Sequence, residues 1–159
     1  MTDFTDTKYL SYFDIPKDTI PIISGKKIKG FWSHHTDRTA ILPGDYIRDI
    51  LSHTKYGDVK FNIDDTVCSH IEYEVSHDDP HVIDEHVDLC EATILIYLHK
   101  SESVVDLFEV GGVDQDSDKR WGNPKKGHYR AMMFNGNVSH SGMVIGEGFR
   151  HVLVIHLNF

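Results

Sequence analysis

The stretch Cys90-Glu-Ala-Thr-Ile-Leu-Ile-Tyr-Leu98 decides how this chain is read. From Ala92 to Leu98 it is the strongest apolar run in the sequence. It is far shorter than the ~20 residues a membrane-spanning helix requires, and its β-branched and aromatic residues suit a strand buried in a sheet. Working outward, similar short runs recur at Val67 to Val75, Val104 to Val110, Tyr129 to Phe134, Val138 to Ile145 and Phe149 to Phe159, separated by polar turns. They do not alternate with helical segments, so the pattern predicts an antiparallel sandwich or barrel and argues against a parallel doubly wound sheet.

Toward the N-terminus the texture is different. Pro43-Gly44-Asp45 offers a helix start, Ile47, Ile50, Leu51 and Thr54 share one face, and Gly57 can close the end, which predicts a helix over about Gly44 to Tyr56 packed on a sheet. Residues 1 to 30 hold short apolar clusters broken by Pro16, Pro21 and Gly25, read as short strands or an arm across the surface. Between Gly111 and Gly127 a long polar connection containing Trp121 reads either as a lid over a pocket or as a solvated loop.

Composition narrows the function classes. With 159 residues the chain is read as one domain, 1–159, whose motif-bearing core is about 67–159. Sixteen Lys and Arg against 25 Asp and Glu leave a formal charge of −9, a field that repels phosphate backbones and anionic lipid. Neither nucleic acid nor a membrane is an expected partner. Two cysteines, Cys68 and Cys90, are too few for a disulfide framework, and no apolar run follows a basic start. The expected compartment is cytoplasmic. Oligomeric state stays open, because the sequence does not say which strands are edges.

Twelve histidines raise the question of a metal, and spacing separates them. A carboxylate two residues after a His lies on the same side of an extended segment, so the pair can grip one ion. With Asp as the carboxylate, composition predicts about one such pair by chance. Three occur: His35-Thr-Asp37, His77-Asp-Asp79 and His86-Val-Asp88. The first two lie in polar, turn-like surroundings, where a solvated loop is the simpler reading, whereas His86-Val-Asp88 sits at the mouth of the buried strand. Two His and one carboxylate on one face of an octahedron suit ferrous iron and leave positions open for oxygen chemistry. His140, in Val138-Ser-His-Ser-Gly142, is the candidate third ligand. If Gly146-Glu-Gly148 closes a hairpin, Arg150 returns beside His140, facing inward with Val152, Val154 and His156. A buried guanidinium requires an anion, and that strand offers no acidic residue, so the anion is read as a ligand.

The order His86-x-Asp88, an Ile-Tyr-Leu strand, His140-x-Gly142 and Gly148-x-Arg150 resembles the 2-oxoglutarate- and Fe(II)-dependent oxygenases, in particular the prolyl and lysyl hydroxylase branch. The matching stretch runs from about Ile71 to the C-terminus. The resemblance implies a mainly β double-stranded β-helix, a cupin-like jelly roll, with one or two flanking helices. It makes His86, Asp88 and His140 the iron ligands and Arg150 the clamp on the distal carboxylate of 2-oxoglutarate, with Tyr97 supporting that carboxylate. Tyr73 matches another pocket tyrosine, the alternative being a sheet tyrosine with its ring in the core. The implied cofactors are Fe(II), 2-oxoglutarate as cosubstrate and O₂, with ascorbate as a supporting reductant. The implied reaction hydroxylates a small-molecule or peptidyl substrate and releases succinate and CO₂. Asp88 occupies the position that is small in halogenating relatives, which implies hydroxylation over chlorination.

Two departures stand out: Val152 replaces a Ser or Thr common two residues after the arginine, and Val104-Val-Asp106 replaces a usual Gly-Gly pair. Two other readings stay open. One is a jelly-roll protein that binds a metal or a carboxylate without turnover. The other makes the same residues a structural network with Arg150 paired to Asp88. Cys90 is read as a buried inert thiol over a ligand, and His156 as a core histidine over a pocket-lining one.

Overall fold

Alternating apolar residues place more than half of the described residues in strands. The structure, a computed structural model, describes residues 10–20, 44–62, 66–98, 104–111, 113–116 and 124–158. In chain order these form β1 (Leu10–Pro16), a 3-10 turn (Lys17–Thr19), α1 (Gly44–Ser52), β2 (Val67–Val75), β3 (His81–His86), β4 (Ala92–Tyr97), β5 (Val104–Val110), β6 (Val113–Asp116), β7 (His128–Asn135), β8 (His140–Gly146) and β9 (Gly148–Leu157). Two antiparallel sheets result, one in the order β1-β7-β4-β9-β2 and one in the order β3-β8-β5-β6. The fold is mainly β, a sandwich of these two sheets. The pairings nest: β2 with β9, β3 with β8, β4 with β7, and β5 with β6.

The five-stranded sheet is buried on both faces, and strand alternation divides its side chains between two cores. On β9, Leu153, Ile155 and Leu157 join Ile94 and Ile96 of β4, Met133 of β7 and Ile47, Ile50 and Leu51 of α1 in one apolar cluster. Val152 and Val154 face the other way. They pack with Leu95 and Tyr97 of β4, Met132 and Phe134 of β7, and Phe108 and Val144 of the second sheet. Residue by residue, β4 is buried along its whole length, which is why its sequence reads as a continuous run.

Four expectations are corrected. The helix stops at Ser52, short of Tyr56, because the Ser52 hydroxyl donates back to the Asp49 carbonyl and the Thr54 hydroxyl to the Leu51 carbonyl at 2.7 Å, competing with further turns. Gly146-Glu-Gly148 does not close a hairpin: β8 pairs with β3 and β5, while β9 pairs with β2 and β4, so the turn crosses from one sheet to the other. Gly146 and Gly148 both have positive φ, 106° and 139°, which lets the chain change layers across one intervening residue. The polar connection after Gly111 opens with β6, paired to β5. Trp121 and residues 117–123 lie outside the described residues. Finally, β3 is a strand that the sequence did not announce, since its exposed positions are Val82, Asp84 and Glu85 and its buried ones are His81 and Ile83.

Candidate metal centre

β3 carries His86 to the site by way of a bulge. Ile83 stands opposite Gly142 and His86 opposite His140, so β3 has one more residue between these pairs than β8. Regular alternation from Ile83 would turn Glu85 inward and His86 to solvent. The extra residue reverses this and brings the imidazole to the inner face. Gly142 is small for a reason. A side chain there would meet the Phe108 ring at 3.1 Å and the Leu107 carbonyl at 3.2 Å, in the close packing behind His140.

Asp88 follows on the loop between β3 and β4. Its backbone N–H donates to the Gly136 carbonyl at 2.8 Å, and the Gly136 N–H donates back to Glu91 at 3.3 Å. The approach is so close that a Cβ on Gly136 would lie 2.4 Å from Cys90 Sγ and 2.6 Å from the Cys90 carbonyl oxygen. Leu89 takes the left-handed conformation, φ 55°, and is exposed, so the strain of this turn falls on the residue next to Asp88.

The donors converge between the sheets. Asp88, whose side chain is 2% exposed, places Oδ1 3.3 Å from His86 Nε2 and 3.3 Å from His140 Nε2. The other nitrogen of each ring meets a backbone carbonyl, His86 Nδ1 on Asp84 at 2.7 Å and His140 Nδ1 on Val138 at 2.8 Å. A carbonyl only accepts, so each Nδ1 carries a hydrogen and each Nε2 is turned to the carboxylate. A bare lone pair facing an anionic oxygen at this separation is unfavourable, so the arrangement calls for positive charge there, either a proton on Nε2 or a metal ion among the three donors. Nδ1–H bound to backbone is also the orientation that ligating histidines adopt. Two donors about 2.1 Å from one ion and about 90° apart lie about 3.0 Å from each other, close to what is seen. His86, Asp88 and His140 form a group able to hold a metal ion.

The same physics moves the titrations. Burial pushes the Asp88 carboxyl up, but hydrogen bonds from His140 and His86 and the charges of His140 and His156 outweigh it and hold the group well below the usual carboxylate range. Burial pulls His86 down, yet its bonds to Asp88 and the Asp84 carbonyl leave it above its ordinary value. Phe134 and Phe108 pack against His140, with ring centroids at 4.8 and 5.8 Å, and fix its plane.

Arg150, on β9, is 2% exposed and lines the same small cavity as His86, Asp88 and His140, across the sandwich from β8. The cavity measures about 20 Å³, room for little more than one water, and its apolar wall includes Ile83, Leu95, Phe108, Phe134 and Val154. Tyr97 is buried with its ring 5.9 Å from the Arg150 guanidinium carbon. Tyr73 stands opposite Arg150 in the β2–β9 register, and its side chain lies outside the described part.

Residues weighed in the sequence settle as follows. His77 and Asp79 are exposed in a turn closed by Ser76 and Asp79, and His35 and Asp37 lie outside the described residues. Cys90 is buried, its thiol pushed up to about 11 by burial and donating toward the Ala92 carbonyl. Neither cysteine forms a disulfide. His156 points at Asp88, with Nε2 3.6 Å from Oδ2. Thr93 was missed. Its hydroxyl donates to Asp88 Oδ2 at 2.7 Å, and the signal was its position as the one Ser or Thr in a strand that is otherwise aliphatic up to Tyr97. No helix among the described residues is long and apolar enough to cross a membrane.

No family model and no curated protein matches this chain. Among solved structures it is similar to a crystal structure of IDO from Bacillus thuringiensis, at 16% identity and a TM-score of 0.47 over 72% of this chain. The match spans 60% of that chain.

Proposed function

We propose that this protein is a 2-oxoglutarate- and Fe(II)-dependent oxygenase that hydroxylates an amino-acid side chain, free or peptidyl, with release of succinate and CO₂. One observation carries the reading: a His-Asp-His group able to hold a metal and a buried arginine share one apolar cavity between the two sheets. The nested strand pairs support a jelly roll, because a long antiparallel ribbon wound on itself places β2 to β9 in these two orders.

His86, His140 and Asp88 Oδ1 would hold the iron, which when bound supplies O₂ activation coupled to decarboxylation of the 2-oxo acid. Arg150 receives the far carboxylate of the cosubstrate. Its planar fork suits a bidentate carboxylate, and the apolar wall around it removes competing water. Phe108, Phe134, Leu95 and Val154 exclude solvent from the reacting region.

A specific observation favours a second reading, a protein that binds a metal or a small anion without turnover. The cavity admits one water-sized group, so a five-carbon dicarboxylate enters only if the apolar wall yields.

One assay separates them. Purified protein with Fe(II), 2-oxoglutarate and O₂, given a panel of amino acids and prolyl or lysyl peptides, should release succinate in step with substrate hydroxylation. Asp88→Ala should abolish both metal binding and succinate. Metal binding without succinate across the panel, together with no calorimetric binding of 2-oxoglutarate to the Mn(II)-loaded protein, would overturn the oxygenase in favour of the binding module. Equal Mn(II) affinity in Asp88→Ala and the native protein would overturn both.

A further inference from the structure

The two oxygens of Asp88 meet different partners. Oδ1 faces the two imidazoles already described. Oδ2 accepts the Thr93 hydroxyl at 2.7 Å and lies 3.6 Å from His156 Nε2. Thr93 and His156 are cross-strand neighbours, Thr93 on β4 and His156 on β9, and both strands are paired on each side within the five-stranded sheet. Asp88 sits on a loop. Its carboxylate is therefore referenced to the most fully paired part of the molecule through its second oxygen, and not through its own backbone alone.

We propose that Thr93 and His156 are positioning residues that hold Asp88 Oδ2 away from the ion, so that Asp88 offers a metal Oδ1 alone. The inference rests on reading His86, Asp88 and His140 as a metal centre, and it adds what sets the number of positions left open there. An untethered carboxylate is free to turn, present both oxygens and occupy two positions on a cation. One whose second oxygen is tied to a hydroxyl occupies one, leaving the other for an incoming ligand.

Cys90 fits into the same arrangement. Thr93 Oγ1 gives its hydrogen to Asp88, so its oxygen, 3.3 Å from Cys90 Sγ, shares the one thiol hydrogen with the Ala92 carbonyl at 3.4 Å. Asp88, Cys90 and His156 also bring three donor atoms within 4.8 Å of one another. Thr93 occupies Oδ2 in that group, which argues for a hydrogen-bonded tether in place of a second ion.

The test uses the full chain with Co(II) as the probe, without cosubstrate and under nitrogen. The variants are Thr93→Val, Thr93→Ser, His156→Gln and Asp88→Ala. Titration gives affinity and stoichiometry, and infrared difference spectra give the separation of the carboxylate stretches, which narrows when a carboxylate changes from one-oxygen to two-oxygen binding. Thr93→Val is expected to weaken Co(II) about 10-fold and narrow the separation, with Thr93→Ser restoring both and His156→Gln shifting them in the same direction by less. Unchanged affinity and bands in Thr93→Val and His156→Gln would overturn the inference while leaving the metal centre intact. A second equivalent of Co(II) with sulfur-to-metal charge-transfer absorption would overturn it as well. Failure of the native protein to bind Co(II) at all would remove both the centre and the tether.

Discussion

The two faces of the five-stranded sheet come from the same strands and do different work. Toward α1, Leu153, Ile155 and Leu157 of β9 are aliphatic, and the cluster they form with Ile94 and Ile50 is apolar apart from the thiol of Cys68 and the phenol of Tyr56. Toward the second sheet, the intervening residues of β9 are Arg150, Val152, Val154 and His156, and the arginine and the histidine are as buried as the valines. Burial without a partner would cost each polar group several kcal/mol, so a face that accepts such residues is organised around what they bind. One face stabilises the sheet. The other holds the buried polar groups of the candidate metal centre.

The largest expected effect is on the aliphatic face. Ile155→Ala should cost about 2–5 kcal/mol in urea unfolding and leave the Mn(II) affinity of the folded protein unchanged, because the lost methyl groups face α1 and not the cavity. A matching loss of metal affinity would mean that the two faces are not separable. Gly136→Ala should be intermediate and should move both quantities. The added methyl meets the Cys90 backbone, costing about 1–3 kcal/mol, and it displaces the loop whose Asp88 N–H is held by Gly136, so Mn(II) titration should show weaker binding. The smallest stability change is expected for Arg150→Met. Replacing a buried charge by an apolar side chain of similar length should shift unfolding by about 1 kcal/mol or less, while calorimetry shows 2-oxoglutarate binding lost. A loss of several kcal/mol there would make Arg150 a member of a structural network.

Much of this arrangement was legible because strands advertise themselves through composition. Val67 to Val75 and Val104 to Val110 coincide with β2 and β5, where Ile71 and Val75, and Val104, Phe108 and Val110, fall on one buried face of an extended segment. β3 was not legible: of its six residues only two are aliphatic, and its inner face is finished by histidine. His86 and Asp88 could be singled out from their spacing, but not their geometry. That depends on a bulge that turns His86 inward and on a glycine 48 positions after Asp88 that lets the loop approach. Reading Gly146-Glu-Gly148 as a hairpin failed for a related reason. Glycines at a turn announce that the chain reverses, and say nothing about which sheet it enters next.

By itself the sequence determined that the chain is built of strands, that its charge disfavours polyanionic partners, and that a histidine and a carboxylate stand at the mouth of its most apolar segment, since these follow from side-chain type and short-range periodicity. Only the tertiary structure decided that β8 and β9 lie in opposite sheets, so that His140 and Arg150 meet across the interior, and that Asp88 divides its two oxygens between imidazoles on one side and Thr93 with His156 on the other. Those contacts join residues far apart in the chain. Register and layer, which no local preference encodes, bring them together.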